Sequence, residues 1–168
     1  MPDPADLIAV ARLLSNEGAP VPPSQAQLRR AVSTAYYALF HKILRTTADL
    51  FIGKDQEHSG AYAILYRSFD HGHMKRTCED LQVSTLKDRT KGLLRRSLVS
   101  EDTRDFAGSF PALQEVRHLG DYDPTARFRP SDVASLIDSA EVAIEAFDRI
   151  TPDERADILA LLMVRSRY

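Results

Sequence analysis

The chain has 168 residues, of which 43% are hydrophobic and 27% are charged. This composition is that of an ordinary globular protein, and the length predicts one domain, residues 1–168, with a continuous core. The formal net charge of −2 excludes a general electrostatic attraction to nucleic acid, so any such contact has to come from a local basic surface.

Three features of the sequence indicate the cellular compartment of the protein. The single Cys78 excludes an intramolecular disulfide and is typical of a reducing environment. No apolar run approaches the roughly 20 residues that span a bilayer. The opening Met1-Pro2-Asp3-Pro4 is acidic, unlike a secretory signal. We therefore predict a cytoplasmic protein without membrane contact.

The first part of the chain carries clear helix start and stop signals. Asp3-Pro4 predicts an N-cap followed by the first helical residue. Ser24 and Gln27 have the spacing of a capping box, and the helix that follows is predicted to reach about Ile52, before Gly53. Apolar residues at steps of four and three predict its buried stripe: Leu28, Val32, Ala35, Leu39 and Ile43.

The middle of the chain predicts shorter helices, over residues 59–69, 73–81 and 85–96. A further helix is predicted to begin at Ser100 and to reach about Leu119. Pro111 should kink or restart this helix, and Gly120 can stop it.

Two helices are predicted at the end. Ser131 is expected to cap the first, and Thr151-Pro152-Asp153-Glu154 combines an N-cap, a first-position proline and a capping-box glutamate. No segment shows sustained period-two alternation. We predict an all-α fold, an antiparallel up-and-down bundle of four to six helices.

One polar stripe follows the long helix beside its buried stripe. Arg30, Thr34, Tyr37 and His41 are separated by four, three and four residues, so they share one face. A cation, a hydroxyl, a phenol and an imidazole in line are unusual beside an apolar core stripe, which makes this face a candidate binding surface. The alternative is a solvated face in which the tyrosine is a partly buried filler.

A second polar segment ends the helix that begins at Ser100. Arg117 and His118 lie in its last turn, and Gly120 and Asp121 follow. A structural explanation is available, because cations suit a helix C-terminus and Arg117 could pair with Asp121 or Asp123.

Other chemistry-bearing residues give weaker signals. His71, His73 and Cys78 lack a matching second pair of ligands, so no metal site is predicted, and no cofactor motif is present. A basic cluster could contact phosphates, although such a run is more often a solvated face: Lys87, Arg89, Lys91, Arg95 and Arg96, joined by Arg127 and Arg129.

The two polar segments together resemble the HEPN family over roughly residues 24–150. Arg29-Arg30-Ala31-Val32-Ser33-Thr34-Ala35-Tyr36-Tyr37-Ala38-Leu39-Phe40-His41 is similar to the helix signature of that family. Arg117-His118-Leu119-Gly120-Asp121-Tyr122 is similar to its Arg-x-x-Ala-Asp-Tyr motif, with Gly120 in place of alanine. The resemblance implies a dimerising helical bundle with a polar cleft along the interface.

In many HEPN proteins that cleft is a metal-independent ribonuclease site, in which the arginine is followed four to six residues later by a histidine. Here Tyr122 stands five residues after Arg117, and no histidine follows His118. The resemblance makes Arg117, His118 and Tyr122 the catalytic candidates. The binding candidates are Arg30, Thr34, Tyr37, His41 and Asp121.

Three functions follow from these observations. The first is a HEPN-type homodimer that binds RNA or a nucleotide, in RNA metabolism or in a toxin–antitoxin or defence setting, with a nucleotidyltransferase-like partner protein. The second is a metal-independent endoribonuclease toxin, in which a cation stabilises the charged transition state and another group moves protons. The third is a plain helical scaffold.

Overall fold

The computed structural model describes residues 1–16, 18 and 20–164, and these contain only helices and loops. The α-helices are α1 (Pro4–Leu14), α2 (Gln25–Phe51), α3 (Gly60–Tyr66), α4 (His71–Leu81), α5 (Asp88–Leu94), α6 (Glu101–Tyr122), α7 (Pro130–Arg149) and α8 (Pro152–Met163). A 3-10 turn, Lys54–Gln56, follows α2. The all-α prediction is confirmed, but the described residues form eight α-helices rather than four to six.

No helix in the described ranges is long and apolar enough to cross a membrane. The chain groups into two compact units. The first unit comprises Met1–Lys42 and Ser109–Glu145, and the second comprises Ile43–Gly108 and Ala146–Tyr168. The helices α2, α6 and α7 each contribute residues to both units.

The predicted signals at the start of the chain are present as hydrogen bonds. The Asp3 carboxylate accepts from the backbone N–H of Ala5 at 2.8 Å, which caps α1. The Gln27 side chain accepts from the backbone N–H of Ser24 at 2.9 Å, and the Ser24 hydroxyl accepts from the N–H of Gln27 at 3.3 Å. This reciprocal pair is the predicted capping box. Past the other end of α2, Gly53 has a φ of 111°, which favours glycine.

The core of the first unit is built on the predicted apolar stripe. Leu28, Val32, Ala35 and Leu39 are all buried on α2. Tyr36, on the same helix, is also fully buried, and its ring centroid lies 5.6 Å from that of Phe110 on α6. The contact between Tyr36 and Phe110 therefore packs the part of α2 that carries the HEPN-like signature against α6.

The second unit contains the short helices of the middle segment. The Ser59 hydroxyl caps α3, and the Asp70 carboxylate caps α4 by accepting from the N–H of His73 at 2.8 Å. Because Asp70 is the cap, α4 begins at His71, two residues earlier than predicted, and Gly72 lies within the helix. These separate caps keep α3 and α4 distinct, as the sequence predicts, and with such short helices included the count exceeds four to six.

The helix α6 is longer than predicted. It runs without interruption through Pro111 and Gly120 and ends at Tyr122, so the expected stop at Gly120 is wrong. The helix α7 begins at Pro130, one residue before the predicted cap Ser131, because proline suits a first helical position.

Glu154 does not complete a capping box with Thr151, whose side chain makes no cap hydrogen bond. The Glu154 carboxylate instead accepts from the backbone N–H of Ser100 and from the hydroxyl of Thr103, each at 2.7 Å. Its other oxygen lies 3.5 Å from Arg96 Nη1. The carboxylate thus satisfies donors at the N-terminus of α6, where the helix dipole favours negative charge.

We predict that Glu154→Gln destabilises the protein by about 1–3 kcal/mol, because an amide loses the charge-assisted hydrogen bonds and directs N–H groups towards Arg96. Urea unfolding followed by circular dichroism measures the change. The matched control is Asp153→Asn, which removes one charge at an exposed position in the same first turn of α8. An equal loss in both variants would contradict this role of Glu154.

Candidate functional site

Arg117 lies near the end of α6 with its guanidinium among aromatic rings. Its Cζ atom is 5.4 Å from the ring centroid of Tyr37, 5.6 Å from that of Tyr122 and 5.8 Å from that of Tyr36. All three distances are within the range of cation–π attraction. The side chain is 15% exposed. We name Arg117, Tyr36, Tyr37, Asp121 and Tyr122 the Arg117 cluster.

The polar contacts of Arg117 come from two helices. Its Nη2 donates to the Tyr37 hydroxyl on α2 at 2.8 Å. Its Nε lies 2.7 Å from Asp121 Oδ2 one turn later on α6, an ion pair. The buried Nε–H is not aligned for a hydrogen bond with any acceptor in the described residues, despite this short distance. The other oxygen of Asp121 accepts a hydrogen bond from the Ser33 hydroxyl on α2.

The surroundings of Arg117 keep it charged. Burial lowers the pKa of its guanidinium, but Tyr37, Asp121 and Tyr122 together raise that pKa above its ordinary value. An arginine is already protonated at every physiological pH. The Arg117 cluster therefore contains a permanent cation.

Two histidines lie against the Arg117 cluster. The exposed His118 ring is 4.7 Å, centroid to centroid, from the ring of Tyr122, which is 64% exposed. The His41 ring stacks on that of Tyr37 at 6.0 Å. The structure therefore brings together six of the eight predicted site residues: Arg117, His118, Asp121, Tyr122, Tyr37 and His41.

Two predicted binding residues are placed differently. The hydroxyl of Thr34 is buried and donates to the backbone carbonyl of Arg30 at 2.7 Å, within its own helix. The guanidinium of Arg30 is exposed and makes no hydrogen bond or ion pair within the described residues. Within the described residues, no hydrogen bond or ion pair joins either side chain to Arg117.

Arg29, for which the sequence predicted no role of its own, binds the C-terminal end of α6. Its Nη1 donates to the carbonyl of Gly120 at 2.8 Å, and its Nη2 donates to those of Asp123 and Ala126 at 2.8 and 2.7 Å. The bond to Gly120 satisfies an acceptor that the helix end leaves open, and the other two bonds hold the segment that follows the helix. The planar guanidinium reaches all three because its donors diverge in one plane.

Ser33 and Tyr36 were also missed. They follow Arg29 at steps of four and three residues, one position before the predicted stripe of Arg30, Thr34 and Tyr37. The sequence did contain a signal for these residues, because steps of four and three place Arg29, Ser33 and Tyr36 on one face of the helix. Only the contacts with α6 show which of the two adjacent stripes faces that helix.

Gly120 stands where the HEPN-like motif has alanine. A Cβ placed there would lie 3.5 Å from Val32 Cγ1, 3.6 Å from the Arg29 carbonyl oxygen and 3.8 Å from Phe128 Cε2. These are ordinary van der Waals distances. An alanine would fit, so this departure from the motif leaves the local geometry unchanged.

The turn after α6 is closed by Asp123. Its carboxylate accepts from the backbone N–H of Thr125 at 2.7 Å and from the Thr125 hydroxyl at 2.6 Å. Hydrogen bonds from the Thr125 side chain and backbone lower the pKa of Asp123. The Asp123 carboxylate is thus bound to Thr125 within the turn. Of the two carboxylates that the sequence offered to Arg117, the ion pair forms with Asp121.

The basic run around α5 is largely neutralised. Lys87 forms an ion pair with Asp80, Lys91 lies 3.2 Å from Asp88, and Arg96 pairs with Asp157. These pairings favour the solvated-face interpretation over a phosphate-binding surface.

The described residues contain no group of three or more histidine, cysteine, aspartate or glutamate side chains placed to hold a metal ion. His73 Nε2 is 3.0 Å from the carbonyl oxygen of Leu161. Burial raises the pKa of the Cys78 thiol, which makes it a poor nucleophile.

Comparisons of the chain with protein-family models, curated proteins and solved structures find no match. The relation to HEPN proteins therefore stays a prediction from the two motifs. Any functional assignment depends on those motifs and on the geometry of the Arg117 cluster.

We predict that Arg29→Lys destabilises the protein by about 1–3 kcal/mol, because a single ammonium cannot serve three carbonyls in different directions. Urea unfolding measures the loss. The neighbouring Arg30→Lys is the control, and its exposed guanidinium predicts a change within about 0.5 kcal/mol. Similar stabilities of the two variants would show that Arg29 does not hold the end of α6.

Proposed function

We propose that this chain is a HEPN-type helical protein that binds the phosphate groups of RNA or of a nucleotide at the Arg117 cluster. Its proposed setting is RNA metabolism, or a toxin–antitoxin or defence system, in the cytoplasm. The observation that carries the proposal is the position of Arg117, a cation held among three tyrosine rings with two histidines beside them.

The chemistry of the cluster suits a ribonucleotide. A guanidinium matches phosphate oxygens in geometry and charge. Tyr122 is 64% exposed and lies over Arg117, so its ring offers a base a stacking surface next to the cation. Stacking of a base on an aromatic side chain contributes about 1–3 kcal/mol.

A purely structural role explains these contacts less well. The ion pair with Asp121 and the bond to Tyr37 would hold Arg117 in place without His118 or Tyr122. Both of these rings are exposed, and neither makes a hydrogen bond within the described ranges. Exposed aromatic rings beside a buried cation favour a binding surface over a scaffold.

We also propose that the protein forms an antiparallel helical bundle and acts as a homodimer with a nucleotidyltransferase-like partner, as the family resemblance implies. Leu119, which is 47% exposed, lies three residues before Tyr122 on α6, so the two provide adjacent apolar surface that a second copy could cover. A dimer formed there would bring two Arg117 clusters together and would create the expected cleft.

The binding proposal predicts that a fluorescein-labelled single-stranded RNA of mixed sequence, or ATP in a separate competition arm, binds the wild-type protein. Arg117→Gln should weaken binding about 10- to 100-fold, since hydrogen bonds to charged groups are lost. Fluorescence anisotropy measures the affinity for the labelled RNA directly and the affinity for ATP by competition. The higher of the two affinities shows whether RNA or a mononucleotide is the preferred ligand.

The control for this experiment is Arg12→Gln. Arg12 is also an ion-paired arginine of the first unit, bound to Asp138 and Glu141, so the variant changes the net charge equally. Circular dichroism verifies that both variants are folded. Equal affinity of the wild type and Arg117→Gln would overturn the proposal.

The second candidate is a metal-independent endoribonuclease, and the two histidines favour it. The ring of His118 contacts that of Tyr122, and the ring of His41 contacts that of Tyr37. Since both tyrosine rings lie against the Arg117 guanidinium, each imidazole is one ring away from the cation. One imidazole would take the proton of the RNA 2′-hydroxyl, which then attacks the adjacent phosphorus. The leaving 5′-oxygen would receive a proton, while Arg117 stabilises the charge on the phosphorane.

This candidate predicts that the protein cleaves the RNA in the presence of EDTA and leaves 2′,3′-cyclic phosphate ends. Arg117→Gln should abolish cleavage, and His118→Asn should slow it about a hundredfold or more, as expected for a lost proton-transfer group. His58→Asn, at an exposed histidine outside the Arg117 cluster, is the control. Binding without cleavage, or cleavage unchanged in Arg117→Gln, would rule out this mechanism.

A further inference from the structure

We propose that Asp121 is a built-in competitor of the ligand: its carboxylate occupies Arg117 in the free protein and limits the affinity of the Arg117 cluster for phosphate. This inference rests on the proposed function and concerns the regulation of the same site. It assigns Asp121 a role opposite to that of a ligand-binding residue.

The first step is the position of the carboxylate. Asp121 Oδ2 lies 2.7 Å from Nε of Arg117, so the carboxylate takes up the space and the charge that a phosphate would need at this donor. A carboxylate and a phosphate offer a guanidinium the same kind of acceptor. Because Arg117 is mostly buried, a ligand cannot use this donor while Asp121 remains there.

The second step is that Asp121 balances the charge of Arg117 but does not accept a hydrogen bond from its Nε–H. The Nε–H of Arg117 is buried and makes no hydrogen bond within the described residues, although the carboxylate is close. A buried donor without a well-aligned acceptor is costly. A phosphate oxygen that displaced the carboxylate and aligned with the N–H would recover this bond, so the exchange of acceptors favours the ligand.

The third step concerns how firmly Asp121 is held. It lies in the last turn of α6, where the helix dipole disfavours a carboxylate. Within the described residues, the Ser33 hydroxyl and Arg117 hold it there. The backbone of this turn is kept in place by Arg29 at Gly120, so release requires a rotation of the Asp121 side chain and no unwinding of the helix.

Two roles of Asp121 predict opposite results. If Asp121 orients Arg117 for the ligand, removal of its charge weakens binding. If it competes, Asp121→Asn frees the cation and also removes the repulsion between the carboxylate and an incoming phosphate. We expect about five- to tenfold tighter binding of the labelled single-stranded RNA, and of inorganic pyrophosphate in a competition arm.

Asp138→Asn is the charge-matched control. Asp138 is exposed, and its partner Arg12 retains Glu141, so this variant changes the net charge equally without affecting Arg117. Its affinity should equal that of the wild type. In the double variant Asp121→Asn with Arg117→Gln the gain should disappear, because it acts through Arg117.

Ser33→Ala provides a second test that keeps the carboxylate. Loss of its hydroxyl removes one of the two groups that hold Asp121, so binding should tighten about twofold. Circular dichroism verifies the fold of each variant.

The outcomes separate the two proposals. If the wild type binds and Arg117→Gln does not, while Asp121→Asn binds equally or more weakly, the proposed function stands and competition by Asp121 is overturned. If neither the wild type nor Asp121→Asn binds RNA or pyrophosphate, the proposed function is overturned, and this inference with it. Tighter binding by Asp121→Asn, absent in the double variant, supports both.

Discussion

The guanidinium of Arg29 holds the end of α6 in place by donating to the carbonyls of Gly120, Asp123 and Ala126. The rest of the candidate site depends on this contact. With the end of α6 fixed beside α2, Ser33 reaches Asp121, and Tyr37 reaches Arg117. A small rotation of α6 would break both of these bonds. The most important residue for the geometry of the site is therefore one that provides no functional group to it.

The energetics of Arg117 connect packing with function. Burial of a cation is costly unless opposite charge and hydrogen bonds compensate for it. Here Asp121 provides the charge, Tyr37 provides one hydrogen bond, and three rings provide cation–π attraction. The compensation is incomplete, because the Nε–H has no aligned acceptor in the described chain. The Arg117 cluster is thus held in a fixed geometry, and its cation is still able to gain from a better-aligned acceptor.

Local signals predicted much of the helical structure. The cap at Asp3 and the capping box of Ser24 and Gln27 form as expected, because each depends on neighbours within a few residues. The predictions failed where a distant group intervened. Glu154 binds the start of α6 instead of its own helix, and Gly120 continues a helix that it was expected to end. In both cases the tertiary contacts outweigh the local preference.

By itself, the sequence determined that the chain is helical, which stripe of α2 is buried, and that the segments around Tyr37 and Arg117 carry the polar chemistry. Periodicity and capping are properties of one helix, so they can be read without knowledge of its neighbours. Only the tertiary structure decided that Arg29, Ser33 and Tyr36 face α6, and that Arg30 does not. Adjacent stripes on a helix differ by a rotation of about 100°. That rotation is set by packing against another helix, which no local pattern contains.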